Sequence, residues 1–436
     1  MSDTPVSETP ATDTPVTRDP LVDVHVRAIA SNGSGVADLP DGRVVFIPRT
    51  APGDHARVRL GKVKRKWAQA SLVELLEHAP SRTDAPCPLF DTCGGCTLQH
   101  LPYEDQLEWK GRFISDAMKR VGGIDVDPPN VRPSPEAFGY RNRVSYSLRR
   151  LRGGRVLAGF HALGRPAHVI DVNNECLLAE APIRSAWKEL REGWGGGARH
   201  LPAGGRLRLT LRSNADAVAL IVDGGAAAWN AGDLAASVPG LEAIWHRPSG
   251  ANKTMLVHGT EAGGQGEVDA ARWVGDSFLQ VNTALGAILR EFVLTQAEGA
   301  GQVVDAYCGV GAYARELARR GAEVTGIEVD PSACAAAKSD APDELNIVQG
   351  RVEDRLAAML PTELLILNPP RVGLHDSVPD IIRAAAPSRV IYVSCDPATL
   401  ARDVGRLIDE YRLVEIEAFD LFPQTSHVET VAVLAR

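Results

Sequence analysis

Between residues 21 and 78 apolar and polar positions alternate in short runs: VDVHVRAIA, GSGVADL, GRVVFIP, DHARVRLGKVKRK and QASLVELLE. A period of two is that of a half-buried strand, and turn residues separate the runs. Five short strands in about sixty residues predict a small barrel, of the OB type, since small basic barrels often bind oligonucleotides. From Leu101 to Val121 the spacing becomes helical. Residues 138–260 return to strand patterns, with runs such as RVSYSLRR, RLRLTLRS and AVALIVDGG, and predict a mostly antiparallel sheet.

Near residue 276 the pattern changes again. DSFLQVNTALGAILREFVLTQ starts strand-like and becomes an amphipathic helix at about Thr283. Residues 303–330, VVDAYCGVGAYARELARRGAEVTGIEVD, read as strand, glycine turn, helix, strand. The glycines let the backbone approach a ligand, and Glu328, closing the second strand, can bind two ribose hydroxyls. The same Gly309-x-Gly311-x-x-Ala314 spacing also fits a dinucleotide site. Further strands follow: NIVQG (346–350), LLILNPP (364–370), SRVIYVSC (388–395), RLVEIEAFDL (412–421) and ETVAVLAR (429–436). Helices separate most of them, while the last two are joined by a loop and predict an antiparallel pair. The reading divides the chain into a disordered tail at 1–20, a barrel at 21–80, a central domain at 81–270 and an α/β domain at 271–436.

Composition narrows the class. A hydrophobic share of 44% and a charged share of 23% are those of a soluble globular protein. No apolar run approaches the roughly 20 residues of a membrane-crossing helix, and no signal peptide opens the chain, so the expected location is the cytoplasm. The net charge of −8 argues against nucleic acid, but two local stretches argue for it. Residues 57–66 hold six basic residues and no acid, and residues 141–155 hold six arginines with Tyr140 and Tyr146 nearby. Basic patches with aromatics meet phosphates and bases, so RNA or DNA is the expected partner.

Cysteines suggest a metal. Cys87, Cys93 and Cys96 lie close together in PCPLFDTCGGCTLQH, and Cys176 is the one cysteine outside both this loop and the C-terminal half. In a reducing compartment such thiols are ligands rather than disulfides. Four thiolates suit zinc or an iron–sulfur cluster. The absence of a second paired knuckle favours [4Fe–4S] over zinc, with His100 as an alternative fourth ligand.

Three strand ends carry reactive residues. Asn368-Pro369-Pro370-Arg371 follows one strand, Ser394-Cys395-Asp396-Pro397 the next, and His427-Val428-Glu429-Thr430 opens the last. The prolines hold the chain extended and aim Asn368 at the cleft. Cys395 precedes a helix N-terminus that favours thiolate. A thiolate adding to C6 of a pyrimidine makes C5 nucleophilic enough to take a methyl from S-adenosylmethionine, after which a base must remove the C5 proton. Cys395, Glu429 and the 303–330 turn supply these needs.

At this point the chain resembles the RNA uracil-C5 methyltransferases. The resemblance rests on FLQVN (278–282), DAYCGVGAYARELA (305–318), NPPR (368–371), VSCDPATLARD (393–403), FPQTSHVETVAVL (422–434), CGGCTLQH and GYRNR (139–143), while residues 21–78 resemble a TRAM domain. It implies a class I, Rossmann-like methyltransferase domain, Cys395 as nucleophile and Glu429 as base. Gln280, Tyr307, Glu328 and Asn368 would line the methyl-donor site. The branch with a barrel and four cysteines typically modifies 23S ribosomal RNA and binds [4Fe–4S] through Cys87, Cys93, Cys96 and Cys176; the tRNA-specific branch typically lacks both features. The family commonly has Asp where this chain has Asn368, and Asn where it has Asp396. Alternatives are a tRNA methyltransferase, an inactive RNA-binding relative and, from another class, an NAD-dependent oxidoreductase.

Overall fold

The computed structural model describes residues 21–173, 176–215, 217–259, 280–339 and 341–436. The expected tail at 1–20, and the strand-like start of 276–279 with Phe278 and Leu279 of FLQVN, lie outside them. The chain forms two compact units: one runs to Ala30 and includes Ser34–Arg82, the other takes Ser31–Gly33 and Thr83–Arg436.

The first unit is a closed barrel of β1 (Leu21–Ile29), β2 (Gly35–Asp38), β3 (Val44–Ile47), β4 (His55–Val63) and β5 (Trp67–Glu77), in the order β1-β2-β3-β5-β4. Alternation sends Val24, Val26, Val45, Ile47, Ala56 and Val58 inside, and closure removes exposed sheet edges. Buried Asp54 pins one end, accepting the N–H groups of Ala51 (2.6 Å) and Ala79 (2.9 Å) and pairing with Arg82 at 2.8 Å. On β4 Arg57 is held by Asp23 at 2.9 Å. Arg59, Lys62, Lys64, Arg65 and Lys66 are exposed.

In the second unit a helix, Tyr103–Ala117, follows the cysteine loop, and a short strand β6 (Val131–Arg132) comes next. Six strands then form one sheet: β7 (Arg143–Arg150), β8 (Val156–Gly159), β11 (Arg206–Asn214), β12 (Ala217–Asp223), β13 (Leu241–Arg247) and β14 (Met255–His258), ordered β14-β13-β12-β11-β7-β8. Two small strands, β9 (His161–Ala162) and β10 (Arg165–Val169), pair beside it. The six-stranded sheet is antiparallel except between β12 and β13. Trp187 of the helix Ala181–Gly193 covers it, its ring stacked 3.6 Å from Tyr146.

This packing narrows the expected nucleic-acid face at 141–155. Tyr140 and Tyr146 are buried, and Arg150 donates to the carbonyls of Gly197, Ala198, Leu201, Pro202 and Gly204. Of the six arginines only Arg152 and Arg155 are exposed. The stretch is a strand whose long cationic side chains tie down neighbouring loops.

The C-terminal sheet holds β15 (Gln302–Ala306), β16 (Glu323–Glu328), β17 (Leu345–Gln349), β18 (Leu364–Leu367), β19 (Arg389–Ser394), β20 (Arg412–Phe419) and β21 (Glu429–Ala435). Its order is β17-β16-β15-β18-β19-β21-β20-β6. The strands from β15 to β19 are parallel, and β21 inserts antiparallel between β19 and β20. This is the Rossmann-like methyltransferase arrangement, with the antiparallel pair the alternating patterns predict. β6 on the far edge was not anticipated, because two residues carry no period. The order reverses between β15 and β18, and ligands of such sheets bind at that point, beyond the carboxyl ends of the strands.

Candidate active site

The carboxyl ends of β15, β16 and β18 form one wall of the cleft. Past β15 the chain turns at Tyr307, whose φ of 64° is costly for a residue with a Cβ. Gly309 (57°) and Gly311 (76°) share that region without cost. Tyr307 packs against the core, and burial followed by the nearby Glu353 and Asp403 raises its hydroxyl pKa. Glu328 spans the opening: one oxygen accepts from Gly309 N–H (2.9 Å), the other from Val329 (2.7 Å) and Asp330 (2.8 Å). Asn368 begins the loop after β18, its N–H reaching Ala306 O at 3.3 Å. Gln280 comes from the segment before the helix Thr283–Gln296, and Asn142 of GYRNR donates to its carbonyl at 3.0 Å.

Two buried oxygens here have no hydrogen-bond partner among the described residues: Gln280 Oε1 and Asp305 Oδ1. Asp305 is wholly buried in β15, its other oxygen accepting from Ala314 N–H at 3.1 Å, and desolvation raises its pKa to about 7. Positive-φ glycines, a carboxylate across the turn and unmet acceptors fit a polar adenosyl ligand. Sequence reasoning passed over Asp305; an acid inside an otherwise apolar parallel strand was the available signal.

The other wall carries Cys395 and Glu429. In the antiparallel β19–β21 register Ser394 faces Thr430, so the next pair outward is Cys395 and Glu429. Directly opposed residues of such a pair lie about 5 Å apart at Cα. Glu429 is 3% exposed, and Oε2 has no partner among the described residues. Desolvation raises its pKa to about 8, only partly offset by Arg371. The Cys395 thiol is also raised, by burial first and then by Glu429, with Arg371 opposing through charge and a hydrogen bond. Asp396 caps the helix that follows, accepting from Ala398 (2.9 Å) and Thr399 (3.0 Å). Arg371 is thus the cation that serves both groups, a role the NPPR motif did not disclose. His427 has a pKa lowered to about 4 by desolvation and then by Arg371, Lys110 and Arg141, so it is neutral at pH 7.

Cys87, Cys93, Cys96 and Cys176 line one cavity of 490 Å³ with Arg141 and Phe160. None forms a disulfide. Burial raises the Cys96 thiol to about 12. His100 is buried against Phe90, 5.6 Å between ring centres. The four cysteines therefore share one site. Even so, among the described residues no three His, Cys, Asp or Glu side chains are placed to hold a metal ion, so the expected metal centre is not established.

The description tRNA (Uracil-5-)-methyltransferase matches residues 350–436, which include Asn368, Cys395 and Glu429. A TRAM domain matches residues 21–73, and a methyltransferase domain matches 304–361. An RNA methyltransferase of Thermosynechococcus vestitus is 34% identical, covering 95% of this chain and 97% of its own. One from Nitratidesulfovibrio vulgaris is 32% identical over 95% and 96%. The chain belongs to the RNA uracil-C5 methyltransferases.

As an RNA uracil-C5 methyltransferase it uses S-adenosylmethionine, and its barrel is the TRAM domain of that family. A solved relative, the Pyrococcus abyssi tRNA (uracil-54, C5)-methyltransferase in complex with S-adenosyl-L-homocysteine, superposes with a TM-score of 0.70 at 26% identity. It covers 95% of this chain and 100% of its own. The uncovered twentieth is shorter than the barrel, so this tRNA enzyme has a counterpart to most of it. Possession of a barrel therefore does not separate ribosomal from transfer RNA as the substrate. Among the described residues no helix is long and apolar enough to cross a membrane.

Proposed function

We propose that the enzyme methylates C5 of a uridine in 23S ribosomal RNA through a covalent bond between Cys395 and C6. The observation that supports this chemistry is the β19–β21 register, whose last pair, Ser394 and Thr430, leaves Cys395 and the buried Glu429 next to each other in chain order on the two strands. Cys395 as thiolate adds to C6, and the C5–C6 π pair moves into an enolate. C5 then takes the methyl group, while the carbon–sulfur bond electrons stay with the donor's sulfur. Glu429 removes the C5 proton, the C5–H pair restores the double bond, and the C6–sulfur bond breaks to free Cys395. Arg371 offsets negative charge at both residues. Gln280, Tyr307, Glu328 and Asn368 are assigned to the donor site, Glu328 facing the ribose hydroxyls and the unmet Gln280 oxygen a polar group. Asn368, an amide in place of the family's usual carboxylate, keeps the shape without the charge.

The cysteines at 87, 93, 96 and 176 are assigned to a [4Fe–4S] cluster, supported by their shared cavity. Its part would be structural, since the methyl transfer needs no electron. Anaerobically purified protein should then contain iron and sulfide and absorb broadly near ~400 nm; stoichiometric zinc without iron contradicts the assignment. The cytoplasm is the compartment assigned, where both the RNA and reduced thiols are found.

A second reading, tRNA as substrate, is favoured by the likeness to the P. abyssi enzyme. The experiment is incubation of 23S rRNA and tRNA transcripts with methyl-labelled S-adenosylmethionine, followed by nucleoside digestion and mass mapping. Label in 5-methyluridine of the ribosomal transcript is expected. Label in tRNA alone selects the second reading, and label at any atom other than uridine C5 contradicts both.

A further inference from the structure

The segment that delivers Glu429 is fastened by residues some three hundred positions away in sequence, within the same compact unit. Residues 420–428 lead from β20 into β21, whose first residue is Glu429. Halfway along, Gln424 takes a left-handed φ of 68°, a strain that persists only when the surroundings enforce it. Its carbonyl accepts the N–H groups of Thr97 (3.0 Å) and Leu98 (3.1 Å). Its N–H donates to Gln106 Oε1 (3.0 Å), and its side-chain oxygen accepts from Gln106 Nε2 (3.0 Å). Gln106 is 1% exposed and also donates to Leu101 O at 3.0 Å.

One turn further along the same helix, fully buried Lys110 donates to Asp420 Oδ1 (2.5 Å) and Phe422 O (3.3 Å). Tyr140 adds a bond to Pro423 O at 3.0 Å. Glu429 Oε2 itself has no partner among the described residues, so that oxygen is set by its backbone, held by the pairing of Glu429 with Phe419 and by the 420–428 segment that joins the two.

We propose that Gln106 is a positioning residue for Glu429, with Lys110 as its second anchor: the helix Tyr103–Ala117 clamps residues 420–428 and so sets the carboxylate against C5. The proposal rests on the reading of Glu429 as the base. The helix Tyr103–Ala117 also packs on the helix that Asp396 caps, but the polar bonds of Gln106 and Lys110 run to Leu101, Asp420, Phe422 and Gln424, so loosening them acts on proton removal before it acts on Cys395. Thr97 and Leu98 directly follow Cys96, so the cysteine loop braces the same segment.

The test separates two single-turnover rates with methyl-labelled S-adenosylmethionine and substrate RNA: formation of the protein–RNA adduct, and its resolution. For Gln106→Leu, formation stays within about two-fold, while resolution slows about 10- to 100-fold, the cost of misplacing a catalytic group by about 1 Å. The adduct then accumulates transiently on denaturing gels. Gln424→Gly gives up the side-chain bond from Gln106 Nε2 and the enforced left-handed strain while keeping the backbone bonds, so it loosens the clamp and decides the matter if Gln106→Leu does not fold. Equal slowing of both rates, or unchanged resolution, overturns the clamp. Glu429→Gln run in parallel distinguishes the failures. If it resolves at the wild-type rate, the base is misassigned and this proposal falls with it; if it stalls while both clamp variants resolve normally, the clamp alone is overturned.

Discussion

Glu429 pays for its position with its own ionisation. Its pKa rises from 4.5 to about 8 because burial strips the carboxylate of water. A raised carboxylate pKa makes a stronger base, but only in the fraction that is ionised. Adduct resolution should therefore rise with pH across neutrality and level off above about 8, measured as single-turnover rates. The same shift has a stability sign. Between pH 4.5 and about 8 the folded protein keeps a proton that the unfolded chain has released, so this group lowers stability as pH rises through that window. Glu429→Gln should be more stable than wild type at pH 8, by on the order of 1–3 kcal/mol, and equal to it near pH 4. Urea titrations at the two pH values check this; a variant less stable at pH 8 would mean that the carboxylate is satisfied in the fold. That Asn368, Cys395 and Glu429 stand at strand ends of one sheet was legible, because each follows or opens a clearly patterned strand. Arg371 was visible as part of NPPR, but its partners were not, since they lie on β19 and β21 and meet it only through sheet order.

At the scale of elements, two basic stretches that look alike in sequence differ in the fold. On β4 and the turn after it, Arg59, Lys62, Lys64, Arg65 and Lys66 are exposed. On β7, Arg150 is spent on loop carbonyls and Tyr146 on the Trp187 stack. Charge reversal of Lys64, Arg65 and Lys66 should weaken RNA binding and reduce the slope of log affinity against log salt by about one to three. Arg150→Ala should leave that slope unchanged and destabilise the fold by about 1–3 kcal/mol, since several part-buried carbonyls lose a charged donor. Salt-dependent binding and urea melts of both variants decide. A sequence reports the charge of a strand and not its neighbours, and the loop carbonyls around Arg150 lie some fifty residues downstream. The barrel strands and the antiparallel β20–β21 pair were legible because period and turn chemistry agreed. β6 and the 420–428 clamp were not, because both depend on contacts with no local pattern.

Across the whole molecule, the carboxyl ends of β15, β16 and β18 and the residues Cys395 and Glu429 stand at one end of one sheet, and GYRNR bonds to the segments beside that end through Asn142 and Tyr140. The order β17-β16-β15-β18-β19-β21-β20 brings residues more than a hundred positions apart into one cleft. The central claim is that Cys395 bonds to the base and Glu429 releases it. The most direct measurement is mass spectrometry of Glu429→Gln after incubation with substrate RNA and S-adenosylmethionine, then digestion with protease and ribonuclease. The account predicts that the peptide containing Cys395 carries a methylated, C6-linked dihydrouridine, and that Cys395→Ala yields neither adduct nor product. An adduct on another cysteine, or turnover by Cys395→Ala, would contradict it.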